Sequence, residues 1–148
     1  MQEDCLKISF AEYYLTYDVM KLQRDFFTNQ RGLLDHLAAV WETVSAYLSN
    51  EPNLIGYEFI NEPAGTNLYT DPAGFLMPGQ ANNKYLLPAY KRLYKAIRKN
   101  DPDNLIFFEP SIFDVFAGGF YDTPGGEKEK EKQVFSYHIY CPLVTPMG

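Results

Sequence analysis

LIGYEFINEP, residues 54–63, is a short apolar and aromatic run that ends in a polar turn. Turn residues bound the run on both sides, and this pattern predicts a buried strand. NLIFFEP, residues 104–110, repeats the pattern and also ends in Glu-Pro. A third run, QVFSYHIY at residues 133–140, again combines β-branched and aromatic residues. The sequence therefore predicts three strands of similar character.

Helical patterns precede the first and second strands. Residues 11–27 and 82–99 predict helices, and residues 33–48 predict a third, because apolar side chains recur there at three- and four-residue spacing. The order is helix, strand, helix, strand, loop, strand. Strands separated by crossovers indicate a parallel sheet, so the predicted fold class is α/β. The expected core face of the middle helix consists of Leu33, Leu37, Val40 or Trp41, Val44 and Leu48.

Polar side chains stand at the carboxyl ends of all three predicted strands. They are Asn61 and Glu62 after the first, Glu109 after the second, and His138 and Tyr140 on the third. In parallel α/β folds this edge of the sheet carries the active site. His138 and Tyr140 are two residues apart on one strand and point to the same side. We expect these groups to converge.

Asn-Glu-Pro at a strand end suits glycosidic bond hydrolysis. Such a reaction needs a carboxyl that protonates the leaving oxygen and then deprotonates water, and Glu62 is our candidate. Asn61 could donate a hydrogen bond to a sugar 2-hydroxyl. The tripeptide alone is a weak signal, since Asn50-Glu51-Pro52 repeats it after a helix, where we interpret it as a helix stop. Taken alone, Glu62 would more often be a surface turn carboxylate; the strand before it and the other two strand ends favour the site.

Composition excludes several classes of protein. Hydrophobic residues make up 46% and charged residues 22%, which is typical of a globular chain. The net charge of −6 argues against nucleic-acid binding, which needs a cationic face. No apolar stretch is long enough to span a membrane.

The two cysteines and the amino terminus say little about compartment. Cys5 and Cys141 match no paired metal-ligand spacing; they could be free thiols or one disulfide. Residues 1–5 lack a basic start followed by an apolar run, so we see no signal peptide. The localisation is unknown; a longer parent protein could be secreted or act in an acidic compartment.

The motifs together resemble a known family. Residues 54–63 are similar to the fourth strand of glycoside hydrolase family 5, whose members are (β/α)8 barrels. Further segments resemble its endoglycoceramidase or glycosylceramidase-like branch: Phe107-Phe108-Glu109-Pro110, Gly118-Gly119-Phe120, Pro124-Gly125-Gly126, and Ser136 to Pro142. The likeness extends from about Phe26 to Pro142. A whole barrel takes roughly 250 residues, so residues 1–148 are expected to be an internal fragment of one catalytic barrel domain, roughly strands four to six with their helices.

The resemblance implies roles for individual residues. Glu62 would be the acid/base, Asn61 its sugar-binding neighbour, and His138 and Tyr140 part of the glycone site. Glu109 could serve either the site or the structure. Glu58 points to the same side of its strand as Glu62 but lies four residues earlier, so we expect it to be a buried structural partner. The family places its nucleophile on strand seven, so we expect that residue to lie outside this chain and the fragment alone to be inactive and poorly folded. One departure is that Ala64-Gly65 follow Asn-Glu-Pro where the branch usually has an aromatic residue.

Three functions remain open. The first is a retaining β-glycosidase that hydrolyses the glycan–ceramide bond of glycosphingolipids, with no cofactor or metal. The second is a general family 5 glucanase or β-glycosidase acting on oligosaccharides. The third is a truncated pseudoenzyme that only binds glycolipid, which the flanking coding sequence would test. The sequence leaves the oligomeric state unknown.

Overall fold

Three parallel strands form the sheet of this protein. The computed structural model describes residues 10–114 and 118–138. In that part of the chain, β1 (Gly56–Glu58), β2 (Leu105–Phe108) and β3 (Gln133–Phe135) lie in the order β1-β2-β3. Both pairings are parallel. The predicted parallel α/β arrangement is confirmed, although each strand covers only part of its predicted run.

Helices and short helical turns precede β1 and connect β1 to β2. The irregular connection between β2 and β3 contains one 3-10 turn, at Glu127–Lys132. No helix within the described ranges is long and apolar enough to cross a membrane. The remaining elements are α1 (Phe10–Tyr13), α2 (Tyr17–Phe27), a 3-10 turn (Gln30–Gly32), α3 (Leu33–Leu48), α4 (Pro72–Leu76), a π-helical turn (Asn82–Leu86) and α5 (Leu87–Arg98).

The first predicted helix, residues 11–27, is interrupted. Thr16 has an extended backbone, with φ −72° and ψ 149°, and separates α1 from α2. Its hydroxyl donates a hydrogen bond to the carbonyl of Tyr13 at 2.8 Å. Such local bonds compete with helical ones, so a continuous helix was the wrong prediction here.

The core lies between the sheet and the layer formed by α3 and α5. The helix predicted at residues 82–99 packs on the core through one face. Its residues Tyr85, Ala89, Leu93 and Ile97 are all buried. The Trp41 ring of α3 meets Tyr57 of β1 edge to face, with centroids 6.0 Å apart. The sheet contributes Tyr57, Phe59, Ile106 and Phe108 to this core.

The inner face of α3 is rotated slightly from the prediction. Leu34 is 2% exposed and belongs to the core, whereas Val40 is 55% exposed. Trp41, the other residue predicted at that position, packs against the core. The helix buries a broad stripe, and spacing alone does not locate its centre.

Gly56 allows β1 and β2 to approach closely. A Cβ atom at this position would lie 2.2 Å from the carbonyl oxygen of Leu105, its partner in the register. Any other residue would push the strands apart at the start of their pairing. The glycine therefore sets the spacing that carries both strand ends to the same edge.

Asp71 anchors the long loop between β1 and α5. Its carboxylate caps α4 by accepting from the Gly74 amide at 3.1 Å, and it pairs with the Lys84 ammonium at 2.6 Å. It also accepts a hydrogen bond from the hydroxyl of Tyr85. These partners, with Lys84 the strongest, lower the pKa of Asp71 to about 2.

We expect Asp71→Asn to destabilise the protein at neutral pH. The amide oxygen can still cap α4, but the charge is lost, so the free energy of unfolding should fall by about 1–2 kcal/mol. Because the folded pKa is depressed below 3.8, this stabilisation is present above that pH and disappears as the pH falls towards about 2. Urea denaturation at pH 7 and at acid pH measures it. The control Glu127→Gln removes an exposed ion pair and should change little. Equal stability of Asp71→Asn and wild type at pH 7 would contradict the assignment.

Candidate active site

Glu62 follows β1 in an unusual backbone conformation. Its φ of 48° lies in the left-handed region, which residues other than glycine seldom adopt. Its backbone N–H donates to Oε2 of Glu109 at 2.8 Å. A carboxylate from the end of the neighbouring strand therefore fixes the turn that presents the Glu62 side chain.

Further hydrogen bonds join the loops that follow β1 and β2. The Ile112 amide donates to the Pro63 carbonyl at 2.9 Å, and the Ser111 hydroxyl donates to the Ala64 carbonyl at 2.7 Å. The Ser111 amide in turn donates to Oδ1 of Asn82 at 2.7 Å. The Asn-Glu-Pro turn is thus held from the adjacent strand end and from the start of the following helix.

Asp114 is the acceptor in a second set of hydrogen bonds that supports the loops of the site. Its carboxylate accepts from Nδ2 of Asn82 at 2.6 Å and from the amides of Gly79, Gly118 and Gly119 at 3.2, 3.1 and 3.0 Å. A Cβ atom on Gly118 would lie 2.1 Å from the Gly79 nitrogen, so only glycine permits this approach. Sequence reasoning missed Asn82 and Asp114 as supports of the site. The Gly118-Gly119 pair was the available signal of a close backbone contact.

His138 lies between two carboxyl groups. Its Nδ1 is 2.7 Å from Oε1 of Glu62, and its Nε2 is 3.3 Å from Oε1 of Glu109. The hydrogen bond to Glu62 is the main cause that raises the pKa of His138 above its usual value; the charges of Glu109 and Glu58 act in the same direction. The imidazole is thus well suited to carry a proton next to Glu62.

Glu109 is buried, with a side chain only 2% exposed. Burial is the largest cause that raises its pKa above the usual value for a glutamate, and the Glu58 carboxyl adds to it. The Glu62 amide and the charge of His138 partly oppose that rise. The Tyr90 hydroxyl donates to the Glu109 carbonyl at 2.9 Å and so fixes its backbone.

Glu58 differs from the expectation of a buried structural partner. It is exposed in the structure, on the sheet face opposite to the core side chain of Tyr57. Glu109 shares that face, and this explains why the Glu58 carboxyl influences its pKa. Strand alternation correctly indicated the side of Glu58 but not its exposure.

The structure therefore brings together Glu62, Glu109 and His138, as the strand-end argument predicted. Asn61 is exposed and directly precedes Glu62 on the same turn. Tyr140, Cys5 and Cys141 lie outside the described residues. Within residues 10–114 and 118–138, no group of His, Cys, Asp and Glu side chains is placed to hold a metal ion.

The family model for cellulase, described as glycosyl hydrolase family 5, matches residues 15–147. The chain belongs to this family. The resemblance seen in the sequence is thus confirmed, and the three-stranded parallel sheet with its helices is consistent with part of the family's barrel.

This family 5 chain has two relatives that are named endoglycoceramidase. It is 39% identical over 140 residues to an endoglycoceramidase of Cyanea nozakii, and 41% identical over 140 residues to one of Hydra vulgaris. Each match covers 95% of this chain but only 28% and 27% of the relative. The chain thus spans little more than a quarter of these relatives.

A solved structure supports the same fold. Endo-glycoceramidase II from Rhodococcus sp., in a ganglioside GM3 complex, superimposes with a TM-score of 0.67 at 25% identity. The match covers 89% of this chain and 29% of that chain. The described strands and helices are therefore arranged as in a portion of that enzyme.

We expect the titration of His138 to depend on Glu62. In wild type its pKa should lie above the usual histidine value, and Glu62→Gln should lower it by removing the largest cause of the shift. Imidazole proton shifts, followed by NMR across the pH range, measure the effect. The chain has two histidines, so His36 provides an internal reference. An unchanged His138 titration in Glu62→Gln would show that the contact does not persist in solution.

Proposed function

We propose that this chain supplies the acid/base half of a retaining β-glycosidase. The observation that carries the proposal is the contact of Glu62 with His138, at the carboxyl end of a parallel strand, in a family 5 chain. The Glu62 side chain is 22% exposed, so a substrate can reach it while its backbone stays fixed.

Each proton has a defined place in the proposed reaction. Glu62 gives its proton to the glycosidic oxygen as the bond to the anomeric carbon breaks, and a second carboxylate forms the glycosyl-enzyme bond. The Glu62 carboxylate then takes a proton from water, whose oxygen attacks the anomeric carbon and releases the sugar. His138, held at Oε1 of Glu62, stabilises whichever charge state Glu62 has.

The nucleophile is proposed to lie outside these 148 residues. Glu109 is the other carboxyl at the site, but its Oε2 accepts from the Glu62 amide and its side chain is buried. A nucleophile must instead face the anomeric carbon, roughly 5–5.5 Å from the acid/base carboxyl. The hydrogen bond to the Glu62 amide and the burial of the side chain therefore argue against Glu109 as the attacking group. They support the prediction that the isolated fragment is inactive.

Asn61, His138 and Tyr140 are proposed to contact the substrate. Asn61 is exposed next to Glu62, where its amide could donate to a sugar 2-hydroxyl. The resemblance to family 5 supports assigning His138 and Tyr140 to the glycone side, and the contact of His138 with Glu62 supports its part of that assignment. We also propose that residues 1–148 are one part of a single barrel domain and that β1 to β3 are its fourth to sixth strands.

The proposed substrate is a glycosphingolipid cleaved between glycan and ceramide, without a cofactor. The names of the relatives from Cyanea nozakii and Hydra vulgaris support this choice, as does the ganglioside complex of the Rhodococcus enzyme. The second candidate is a glucanase or other β-glycosidase of the same family, and the family model's description as cellulase favours it. Both candidates use Glu62 in the same way.

Glu62→Gln should lower turnover by roughly 100- to 10,000-fold in an active enzyme that contains this chain, because the amide cannot donate or accept the required proton. The matched control is Glu51→Gln, in the exposed Asn50-Glu51-Pro52 copy, which should retain wild-type rates. Hydrolysis of a β-glycoside with a poor leaving group is the measurement. Near-normal turnover by Glu62→Gln would refute the acid/base role.

The two candidate substrates can be separated by direct competition. If the chain belongs to a glycolipid-cleaving enzyme, glycosylceramide should be hydrolysed with a much higher kcat/KM than cello-oligosaccharides of equal glycan length. The assay quantifies the released glycan by chromatography. A preference for cello-oligosaccharides would transfer the assignment to the glucanase alternative while leaving the role of Glu62 intact.

A further inference from the structure

The two carboxylate oxygens of Glu109 face two different partners. Oε2 accepts from the Glu62 amide at 2.8 Å, and Oε1 is 3.3 Å from Nε2 of His138. The side chain that makes both contacts is buried. One carboxylate is therefore in contact with the backbone of the proposed acid/base and with the ring that touches its side chain.

We propose that Glu109 is a positioning residue, which fixes the backbone of Glu62 through one oxygen and the tautomer of His138 through the other. Its effect on hydrolysis rests on the proposed function of Glu62. Its effect on the imidazole does not, and this separates the two proposals experimentally.

The backbone contact constrains the direction of the Glu62 side chain. A left-handed φ of 48° is uncommon outside glycine and persists where surrounding contacts determine it. A charged acceptor makes a stronger hydrogen bond to this amide than a neutral one would. Glu109 itself is held, because the Tyr90 hydroxyl donates to its carbonyl. The turn is therefore supported by a group that cannot readily move.

The second contact selects one neutral form of His138. A neutral imidazole carries a single N–H, and a carboxylate facing Nε2 favours the proton at that nitrogen. Nδ1 then presents its lone pair to Oε1 of Glu62 and can accept from the protonated carboxyl. When Glu62 is ionised, a protonated imidazole can donate through the same nitrogen. The contact thus survives both proton states that hydrolysis requires of Glu62.

Glutamine cannot replace both functions of Glu109. An amide carries no charge, so Glu109→Gln can still accept from the Glu62 amide but removes the negative charge that lies 3.3 Å from Nε2 of His138. Asp101→Asn is a matched control. Asp101 is likewise buried, it accepts from the Tyr57 hydroxyl and the Asn104 amide, and it precedes β2 at the opposite end of the sheet from Glu109.

The decisive experiment is nitrogen NMR of the His138 ring in an enzyme that contains this chain, above the pH at which His138 loses its proton. Wild type should show a roughly tenfold or larger excess of the Nε2–H tautomer. Glu109→Gln should reduce this excess several-fold, whereas Asp101→Asn should not. A predominant Nδ1–H tautomer in wild type would overturn the proposal without any variant, and so would an unchanged ratio in Glu109→Gln.

The titration of His138 provides a second readout that a purely structural role would not change. In the described part of the chain, the hydrogen bond to Glu62 and the negative charges of Glu109, Glu62 and Glu58 all raise the pKa of His138. Glu109→Gln removes one of these charges and should lower the pH at which His138 loses its proton. Asp101→Asn should leave that pH unchanged. An unaltered midpoint in Glu109→Gln would contradict the electrostatic part of the proposal.

Kinetics test the link to the proposed reaction. In an active enzyme that contains this chain, Glu109→Gln should lower kcat at least tenfold with little change in KM, because Glu109 is buried and acts through Glu62. It should also shift the pH–rate profile. If the imidazole responds in NMR but kcat does not, the positioning contact stands and the acid/base role of Glu62 fails.

Discussion

The hydrogen bond from the Glu62 amide to the buried Glu109 carboxylate links the fold to the chemistry. Parallel pairing of Glu58 with Phe107 brings the two strand ends to the same edge of the sheet. The 2.8 Å contact then converts this register into a fixed orientation of Glu62. His138 enters from the third strand and contacts both carboxyl groups. A change in strand register would separate all three groups together, since the site depends on the pairing of neighbouring strands.

Much of the fold was predictable because burial there follows periodicity. Apolar side chains recur at helical spacing in the helix predicted at residues 82–99, and Tyr85, Ala89, Leu93 and Ile97 are buried as that spacing requires. The wrong predictions occur where a local or tertiary contact, and not the spacing of apolar residues, determines the structure. Thr16 breaks a predicted helix through its own hydroxyl, and Leu34 takes the core position expected of a neighbouring residue. Neither effect is visible in the spacing of apolar residues.

The candidate site was predictable to a different extent. Glu62, Glu109 and His138 could be grouped from their positions at strand ends, because the edges of a parallel sheet coincide. The contacts of Glu109 with a backbone amide and with an imidazole depend on side-chain direction and burial, which a single sequence does not specify. Asn82 and Asp114 were missed for the same reason: their side chains bond to each other across 32 residues of sequence and to backbone groups of the loops. The assignment of Tyr140 to the site stays a prediction.

The burial of Glu109 also opposes stability. Burial raises the pKa of Glu109 above its usual value, so its contribution to folding is most favourable below about pH 4.5 and diminishes as the pH rises through the folded pKa. Near neutral pH the raised pKa of Glu109 therefore costs free energy of folding. An apolar side chain of similar size would avoid that cost. It would, however, leave the Glu62 amide without its acceptor and Nε2 of His138 without the carboxyl group 3.3 Å away, and the left-handed turn would lose its support. A buried group that weakens folding while it orients two others is better explained by the chemistry of the site than by packing.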